Sequence, residues 1–529
     1  MTTHTHSIPT KVYERRWKTL AVLSLSLLII GLDNTILNVA LPSLQDGLAA
    51  NGSALQWIVD SYLLVFAGLL LTFGAFGDRF GRRLALLLGL AIFGLSSLGV
   101  LIVDSTDGLI VVRALMGVGA ALIMPATLSI ISNTFPREER PKAIGIWAAV
   151  AAVGIGLGPL AGGLLLEWFS WRSVFLVNVP VAAIALLLAI RLVPESRDPR
   201  PGRFDLVGAG LSIAGLVALV YTIIEAPNHG WLAPITLGAF ALSLALLAAF
   251  VVWELRVAEP MLNLSYFRNR RFGIGSTAIS LSFFALMGAL YGLTQYLQSA
   301  HGFSSLEAGA AMTPLALGLM LGARSGAHLS ARFGTTRFVT GGLGLVALML
   351  SLTLLWSPST PYWALGCWFF VLAAGMGWVM APSTAAVMGA VPASKSGVAS
   401  AMNDVSRQVS GALGVAVIGS LTTSLYASRI DDSTVALPAE AAEIAEGSIG
   451  GAIGVAGSLP AAEGAALTDE AATAFTHALG LGLLGAGLIA AVGAAIVARF
   501  LPAWQRESEE TETHYEDSHE TEPALRDAA

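Results

Sequence analysis

The sequence predicts an all-α integral membrane protein of about 14 transmembrane helices. Hydrophobic residues make up 55% of the 529-residue chain and charged residues only 12%, which is about half the charged fraction of soluble proteins. Apolar stretches of about 20 residues recur from Leu20 to Phe500, each long enough to cross roughly 30 Å of hydrocarbon. Lys and Arg are concentrated in alternate connections between these stretches, as is typical of the cytoplasmic loops of membrane proteins.

The apolar stretches define fourteen predicted spans, whose ends are placed to within about four residues. They cover 19–42, 54–77, 84–103, 108–131, 142–165, 173–193, 205–226, 231–253, 272–297, 307–330, 338–356, 361–384, 397–425 and 475–499. The first span continues through Pro42 without a small-residue cleavage site, so we interpret it as a retained helix and not as a signal peptide.

Orientation follows from the positive charges. With the N-terminus in the cytoplasm, 24 Lys and Arg residues fall on the inner side, 2 fall on the outer side, and Arg113, Arg324 and Arg407 fall within spans. This bias also supports the even number of spans, because one helix more or fewer would place later loops on the wrong side. We therefore expect a multi-pass plasma-membrane protein with both termini in the cytoplasm.

A short repeat indicates internal symmetry. Asp78-Arg79-Phe80-Gly81, between spans 2 and 3, is echoed by Ala331-Arg332-Phe333-Gly334, between spans 10 and 11. The two positions correspond if spans 7 and 8 are an insertion. Parallel repeats of this kind predict two pseudo-symmetric six-helix bundles with a substrate site between them near the midplane. The expected organisation is a cytoplasmic segment 1–18, an N-terminal half 19–193, an inserted pair 205–253, a C-terminal half 272–499 and a cytoplasmic tail 500–529.

Two segments differ in composition from the spans. Residues 506–529 contain nine acidic residues and two arginines, and they have too little apolar content to fold alone, so we expect a disordered tail. The external connection 427–474 is unusually long and contains an apolar run, 449–459, that is too short to span. It is either a variable surface loop or an external hairpin that shields the exit.

The connection between spans 2 and 3 contains the most specific motif, Gly74-Ala-Phe-Gly-Asp-Arg-Phe-Gly-Arg-Arg83. Its glycines permit a tight turn between closely packed helices. Its Asp can accept hydrogen bonds from an arginine or a helix N-terminus, and its arginines suit the anionic inner leaflet. A plain positive-inside loop is the alternative, but the ordered spacing favours a conformational latch. The candidate latch residues are Gly74, Asp78, Arg79, Gly81 and Arg82.

The Gly-x-x-x-Asp-Arg-x-Gly-Arg pattern of this motif resembles the inner-loop signature of the major facilitator superfamily. Three further segments resemble its fourteen-helix drug:proton antiporters: Leu32–Pro42 in helix 1, Arg113–Gly119 in helix 4, with Met116 where Gln is frequent, and Gly154–Gly163 in helix 5. The junction of helices 5 and 6 also fits, at Trp171, Arg172, Phe175, Asn178 and Pro180. The resemblance implies a proton-driven exporter, and its helix 5 motif is associated with antiport. In the second half Ala331 replaces the latch aspartate.

The helix 5 segment also has a physical interpretation of its own. Gly154, Gly158 and Gly162 recur at every fourth residue and form one smooth face for close helix packing. Pro159 interrupts the backbone hydrogen bonding and can kink the helix. Together with Gly163, this run forms either static tight packing or a hinge or sliding surface between the halves, which alternating access requires.

Charged residues at membrane depth are costly and indicate function. Asp33 lies nine residues before Pro42, roughly 14 Å below the outer surface, while Asp60 and Arg113 lie about 9 Å deep. Our hypothesis is that Asp33 carries the coupling proton, that Arg113 tunes it, and that Asp60 assists or attracts cations. The alternatives are a static buried ion pair for Asp33 and Arg113, and an exposed position at a wet helix end for Asp60.

Candidate substrate or coupling residues lie in the second half. Asp404 and Arg407 are three residues apart, so they form either a local pair or a site. Span 9 has an aromatic and Met-rich face, which suits varied apolar ligands, although lipid-facing or packing roles are the alternative. Its candidate residues are Phe284, Met287, Tyr291 and Gln295.

The leading prediction is a secondary active transporter that exports drugs, antibiotics or other small apolar or cationic molecules by proton-coupled antiport. A dedicated exporter of one endogenous metabolite, lipid or peptide is the alternative. A non-transporting sensor or scaffold ranks lower, because it would not need Asp33 and Arg113 at membrane depth.

Other classes are disfavoured. An ATP-driven pump would need a Gly-x-x-x-x-Gly-Lys-Ser/Thr loop, which the sequence lacks. An enzyme would need partnered catalytic residues, and the spans offer only His328 and His477. With Cys367 as the single cysteine, we expect no cofactor and no metal. The expected partners are a small-molecule substrate, protons and the lipid bilayer, without nucleic acid, and we expect a monomer.

Overall fold

The computed structural model describes residues 10–136, 139–197, 205–257, 260–391, 396–435 and 437–502. Within these ranges it contains fourteen helices long and apolar enough to cross a membrane, which confirms the predicted all-α fold and the number of spans. The predictions for residues 1–9 and for the acidic tail beyond residue 502 lie outside the described residues.

We number the membrane helices α1 to α14 in chain order. Their bounds are Thr10–Leu48, Gly52–Phe80, Arg82–Ile102, Thr106–Thr134, Lys142–Trp168, Ser173–Leu192, Leu206–His229, Pro234–Glu254, Arg270–Ala300, Ser305–Phe333, Thr335–Leu355, Tyr362–Gly389, Ala401–Asp431 and Ala461–Phe500. Several extend beyond the predicted spans, and α1 begins nine residues earlier than predicted. The additional turns are polar, so a span placed by hydrophobicity alone is shorter than the helix that contains it.

The helices form two similar bundles. In the N-terminal half α1 packs on α5, α2 on α4, and α3 on both α4 and α6. In the C-terminal half α9 packs on α13, α10 on α12, and α11 on both α12 and α14. Each of these helices thus has the contacts of the helix that stands six places before it when the inserted pair is left out of the count. The inserted helices α7 and α8 pack on each other, and α7 contacts α2 and α13. The predicted pair of pseudo-symmetric six-helix bundles is confirmed.

The repeated turn follows the same symmetry. Gly81, between α2 and α3, and Gly334, between α10 and α11, have φ values of +129° and +95°, which residues with a Cβ rarely adopt. After the first turn, Arg82 N donates to the Ser196 carbonyl at 3.0 Å. After the second, Thr336 Oγ1 donates to the Leu501 carbonyl at 2.8 Å. Each turn is therefore anchored to the chain just beyond the sixth helix of its own half.

The halves meet at the ends of the helices that are predicted to be external. Symmetry-related helix pairs, α2 with α13 and α5 with α10, form this interface. Ser420 Oγ donates to Gln56 Oε1 at 3.0 Å, and Gln298 Nε2 donates to the Val39 carbonyl at 2.9 Å. The structure is therefore closed on the predicted outer side.

The segment 427–474 differs from the predicted long loop. It is largely helical, because α13 and α14 extend into it and two short helices, Ala439–Gly447 and Ile449–Ala456, lie between them. Gln45 of α1 donates to Ser448, and a Cβ built on Gly52 of α2 would lie 3.3 Å from the Gly447 carbonyl oxygen. The short helices thus cover the outer ends of α1 and α2, which favours the shielding hairpin over a loose surface loop.

Candidate proton-coupling and transport site

A buried ion pair lies at the centre of the N-terminal half. Arg113 Nη1 of α4 contacts Asp33 Oδ2 of α1 at 2.6 Å, and Asn178 Nδ2 of α6 donates to Asp33 Oδ1 at 3.0 Å. The three residues are each 1% exposed. Since both oxygens of Asp33 accept hydrogen bonds, its negative charge is well compensated. The network ties α1, α4 and α6 together, and removing one partner of such a pair typically costs 3–5 kcal/mol.

Arg113 also reaches α2. Its Nε donates to the Ile58 carbonyl at 3.1 Å, and its guanidinium carbon lies 4.3 Å from the centre of the Tyr62 ring. Asp60 lies between these two residues in the sequence. Any movement of this part of α2 therefore changes the surroundings of Arg113, and with them those of Asp33.

Asp60 has a different environment. It is fully buried, and neither of its oxygens has a hydrogen-bond partner among the described residues. It lies one turn after Gln56, which contacts α13, and it is close enough to Tyr291 of α9 to interact with it electrostatically. Asp60 therefore lies where the two halves meet. This burial excludes the alternative of an exposed position at a wet helix end.

The candidate latch residues separate into two groups. Arg82 Nε donates to Asp78 Oδ1 at 2.7 Å, and a Cβ built on Gly81 would lie 2.7 Å from Glu195 Oε1. Arg79 lies beside Phe80, with its guanidinium carbon 5.9 Å from the ring centre. These residues form the turn that is anchored beyond α6. Gly74 lies within α2, away from this turn, where a Cβ would be 3.6 Å from Cβ of Pro125 in α4.

Two further hydrogen bonds link helices on the predicted inner side of the N-terminal half. Arg16 Nε of α1 donates to Glu139 Oε2 at 2.7 Å, in the connection between α4 and α5. This hydrogen bond holds the pKa of the Glu139 carboxyl below its usual value. Thr19 Oγ1 donates to the Leu192 carbonyl at 3.0 Å, at the end of α6. The helices of the N-terminal half are thus linked to one another both at its centre and at its predicted inner face.

The three regularly spaced glycines of α5 pack against α1. A Cβ built on Gly154 would lie 2.7 Å from the Leu28 carbonyl oxygen, and one on Gly162 would lie 2.9 Å from the Ile36 carbonyl oxygen. One on Gly158 would overlap the Thr35 hydroxyl. The predicted close-packing face is therefore real, but it lies inside the N-terminal half and not between the halves.

A different stripe of α5 faces the C-terminal half. A Cβ built on Gly163 would overlap the Ser305 carbonyl of α10, and one on Gly156 would lie 2.9 Å from Ala316 Cβ. Across the interface, a Cβ built on Gly309 of α10 would likewise overlap the Pro159 carbonyl. The surface between the halves that we expected from the helix 5 glycines is thus formed by this second stripe. Sequence reasoning missed Gly156 and Gly309.

The Asp404–Arg407 pair is present in α13. Arg407 Nη1 lies 3.6 Å from Asp404 Oδ1, and Arg407 Nη2 donates to Thr384 Oγ1 of α12 at 3.2 Å. The guanidinium carbon lies 5.4 Å from the Phe283 ring centre, while Arg407 Nε has no described partner. This geometry is a loose local pair within the C-terminal half, and its role in transport stays a prediction.

The candidate substrate residues of α9 lie mostly in the protein interior. Met287, Tyr291 and Gln295 are buried and Phe284 is partly exposed. The Tyr291 hydroxyl donates to the Gly52 carbonyl of α2 at 3.3 Å, so this side chain contacts the other half. The lipid-facing alternative is thereby excluded for the three buried residues.

Sequence reasoning gave no individual role to three residues of the site. Asn178 was recognised only as part of a junction motif, and its bond to Asp33 could not be inferred from spacing. Gln56 and Ser420 join the halves directly. A signal for Gln56 was available, because it lies one helical turn before Asp60 and therefore on the same face.

Comparisons with known proteins agree with this architecture. The sequence model of the Major Facilitator Superfamily matches residues 23–415. The multidrug efflux pump LfrA of Mycolicibacterium smegmatis is 38% identical over 489 residues, covering 92% of this chain and 97% of that protein. The tetracenomycin C resistance and export protein of Streptomyces glaucescens is 34% identical, with 94% and 95% covered. The methyl viologen resistance protein SmvA of Salmonella typhimurium is 36% identical, with 90% and 97% covered.

Solved structures share the fold. A bacterial homologue of the human lysosomal transporter Spinster, in an inward-facing and unoccupied conformation, aligns with a TM-score of 0.65 at 19% identity. The alignment covers 93% of this chain and 99% of that one. At this identity the likeness establishes the fold alone.

Proposed function

Because this chain belongs to the major facilitator superfamily, we propose that it is a secondary active exporter that exchanges protons for small apolar or cationic molecules by alternating access. Its relatives are named for multidrug efflux, for tetracenomycin C export and for methyl viologen resistance, which supports export and covers both apolar and cationic compounds. The proposal contains no catalytic step. It places the chain as a monomer in the plasma membrane, with both termini in the cytoplasm.

The observation that carries the proposal is the burial of Asp60 without a partner at the closed outer interface. An ionised carboxylate costs several kcal/mol when it is removed from water without a compensating partner. The outer-closed state therefore favours Asp60 with a proton bound. When α2 and α13 separate on the outer side, Asp60 meets water and can exchange its proton with the outside.

We assign the exchangeable proton to Asp60 and not to Asp33, and the different partners of the two carboxylates support this choice. Asp33 accepts from both Arg113 and Asn178, so a proton there would weaken a buried ion pair. Protonation of Asp60 breaks no described ion pair or hydrogen bond. In this mechanism Arg113 connects the two carboxylates, since it pairs with Asp33 and holds the α2 backbone at Ile58.

The transport cycle follows from these assignments. With the outer side closed, substrate enters from the inner side and displaces the proton of Asp60, which leaves to the cytoplasm. The halves then exchange their contacts, substrate leaves on the outer side, and Asp60 binds a proton from outside. That proton makes burial of Asp60 favourable again and drives the return to the outer-closed state. The proton gradient is coupled to export because protonation of Asp60 stabilises the outer-closed state more than the outer-open state.

The outer face favours cationic substrates among those the proposal allows. A cleft of about 1220 Å³ opens there, between α1, α2, α7 and the two short helices of the hairpin. Its lining includes Asp46, Glu440, Glu443 and Glu446, together with Trp231. A vestibule of this sign lowers the electrostatic barrier for a cation that leaves on the outer side and raises it for an anion.

The test is a resistance and accumulation panel in a host lacking its own efflux pumps. The panel contains methyl viologen, tetracenomycin C and apolar antibiotics, and it compares the wild-type chain with Asp60→Asn at matched membrane abundance. We expect the wild type to raise tolerance and lower accumulation several-fold, and the variant to lose both effects. Protection against a single compound would favour a dedicated exporter, and protection against none would refute drug efflux.

A further inference from the structure

Two carboxylates meet at the inner ends of the inserted helices. Asp205 caps α7, and its Oδ1 accepts from Gly208 N at 2.8 Å and from the Trp253 indole at 2.9 Å. Glu254, the last residue of α8, is 4% exposed. Its Oε2 accepts from Leu262 N at 2.8 Å. Each carboxylate thus uses one oxygen to hold backbone or indole N–H groups.

The other two oxygens face each other. Asp205 Oδ2 and Glu254 Oε1 are buried and have no described donor, and the two side chains are within hydrogen-bonding reach of each other. A Cβ built on Gly208 would collide with both oxygens, so both lie beside the same backbone position of α7. Two ionised carboxylates in such a place repel each other, whereas one shared proton converts the repulsion into a hydrogen bond.

The described hydrogen-bond donors to the pair are all neutral. The linker contributes the Leu262 N–H, α8 contributes the Trp253 indole, and α7 contributes the Gly208 N–H. Neither carboxylate forms an ion pair with a described cation. Residues 198–204 and 258–259 lie outside the described part of the chain. Within the described surroundings, a bound proton is therefore what removes the repulsion.

The pair also anchors the linker between α8 and α9. Leu262, which Glu254 holds through its N–H, packs against the apolar cluster of the C-terminal half that includes Phe272 and Val387. The preceding residue, Met261, accepts a weak hydrogen bond from Thr72 of α2, with oxygen and sulfur 3.6 Å apart. The linker therefore touches both halves on the predicted inner side, where the halves must move relative to each other.

We propose that Asp205 and Glu254 form a second proton-binding site, separate from the coupling carboxylates, that holds the linker of residues 260–268 across both halves when its proton is bound. When the inner side becomes more alkaline the proton leaves, the two charges repel, and the Leu262 N–H loses its anchor. The linker then releases α2 and frees the inner side of the interface. A site titrated by one proton changes the ratio of held to released linker by about tenfold per pH unit.

The experiment measures exposure of the linker directly. A Leu264→Cys reporter, at a partly buried linker position outside the contacts named above, is placed in a Cys367→Ser background. The protein is purified into lipid nanodiscs and labelled with a water-soluble maleimide over a series of pH values. Glu254→Gln is the test variant, because its amide can accept from Leu262 N and donate to Asp205 at every pH. Thiol ionisation raises labelling equally in both proteins, so their ratio isolates release of the linker.

We expect the ratio of labelling rates, intact pair over Glu254→Gln, to rise with pH by up to about tenfold per unit. Asp205→Asn, which preserves the helix cap, should behave like Glu254→Gln. Glu225→Gln, a carboxylate at the outer end of α7, should behave like the intact pair. A ratio that stays constant with pH in folded protein overturns the proposal. Since labelling needs no transport, this result does not depend on the proposed export function.

Discussion

The interface between α5 and α10 predicts a shift in the conformational equilibrium when Gly163 is replaced by Ala. In the outer-closed structure, the added methyl group would overlap the Ser305 carbonyl and lie 3.0 Å from Leu306 Cα. These are backbone atoms, so no side-chain rotation relieves the contact. When the outer side opens, α10 moves away and the methyl group has room. The substitution therefore destabilises the outer-closed state and not the outer-open state.

The magnitude follows from that asymmetry. Overpacking a close interface by a methyl group costs about 1–3 kcal/mol. The higher helix propensity of Ala, about 1 kcal/mol over Gly, stabilises both states equally and cancels. The substitution should thus raise the ratio of outer-open to outer-closed protein by about 5- to 150-fold.

A buried thiol reports this ratio. Ser420 is fully buried at the α2–α13 contact, so Ser420→Cys in a Cys367→Ser background is labelled only when the outer side opens. The measurement is the rate of reaction with an impermeant maleimide in nanodiscs at fixed pH. Gly163→Ala should accelerate labelling at least fivefold.

The matched control is Gly145→Ala on the same helix, where an added Cβ would have no atom within 4 Å. It should leave the labelling rate unchanged. If Gly163→Ala reacts no faster than Gly145→Ala, then the α5–α10 contact does not control opening of the outer side, and the reasoning from the second stripe is wrong.

Other substitutions separate stability from coupling. Gly158→Ala should destabilise the purified protein by about 1–3 kcal/mol relative to Gly145→Ala and so lower its thermal midpoint, because the clash lies within one half in both states. Asn178→Ala should cost about 1–3 kcal/mol by removing a hydrogen bond from buried Asp33, and denaturation in detergent would show equal stability if that bond is unimportant. Gly81→Ala should slow transport with unchanged membrane abundance, since the turn needs a positive φ; wild-type transport kinetics would exclude a role for the turn geometry.

The fold was predictable because membrane burial leaves a strong mark on composition. Hydropathy and positive charge located all fourteen helices, since each must satisfy its backbone internally over a fixed thickness. Helix ends were less predictable. Polar turns extend α1 to Thr10 and α13 to Asp431 beyond the hydrocarbon, where apolar content no longer reports helix formation. For residues 427–474 the sequence left a surface loop and a shielding hairpin open, because the two helices within 439–456 are short and do not span.

The sequence identified the candidate residues of the site but not which side chains they contact. Charge at membrane depth identified Asp33, Asp60 and Arg113, because such charge has few structural explanations. Proposing different roles for the two aspartates required geometry, since depth does not separate them by function and only Asp33 has described hydrogen-bond partners. The α5 glycines show the same limit: spacing reveals a smooth face, but which helix that face meets depends on how the bundles assemble.

The most direct test of the account compares substrate-evoked proton movement in proteoliposomes containing wild-type protein, Asp60→Asn or Asp33→Asn. Substrate binding is measured alongside, so that lost coupling is distinguished from lost binding. The account predicts that Asp60→Asn binds substrate but moves no protons, whereas Asp33→Asn loses stability and transport together and keeps its proton-to-substrate ratio in the activity that remains. Undiminished proton movement with Asp60→Asn would contradict the assignment of the coupling proton.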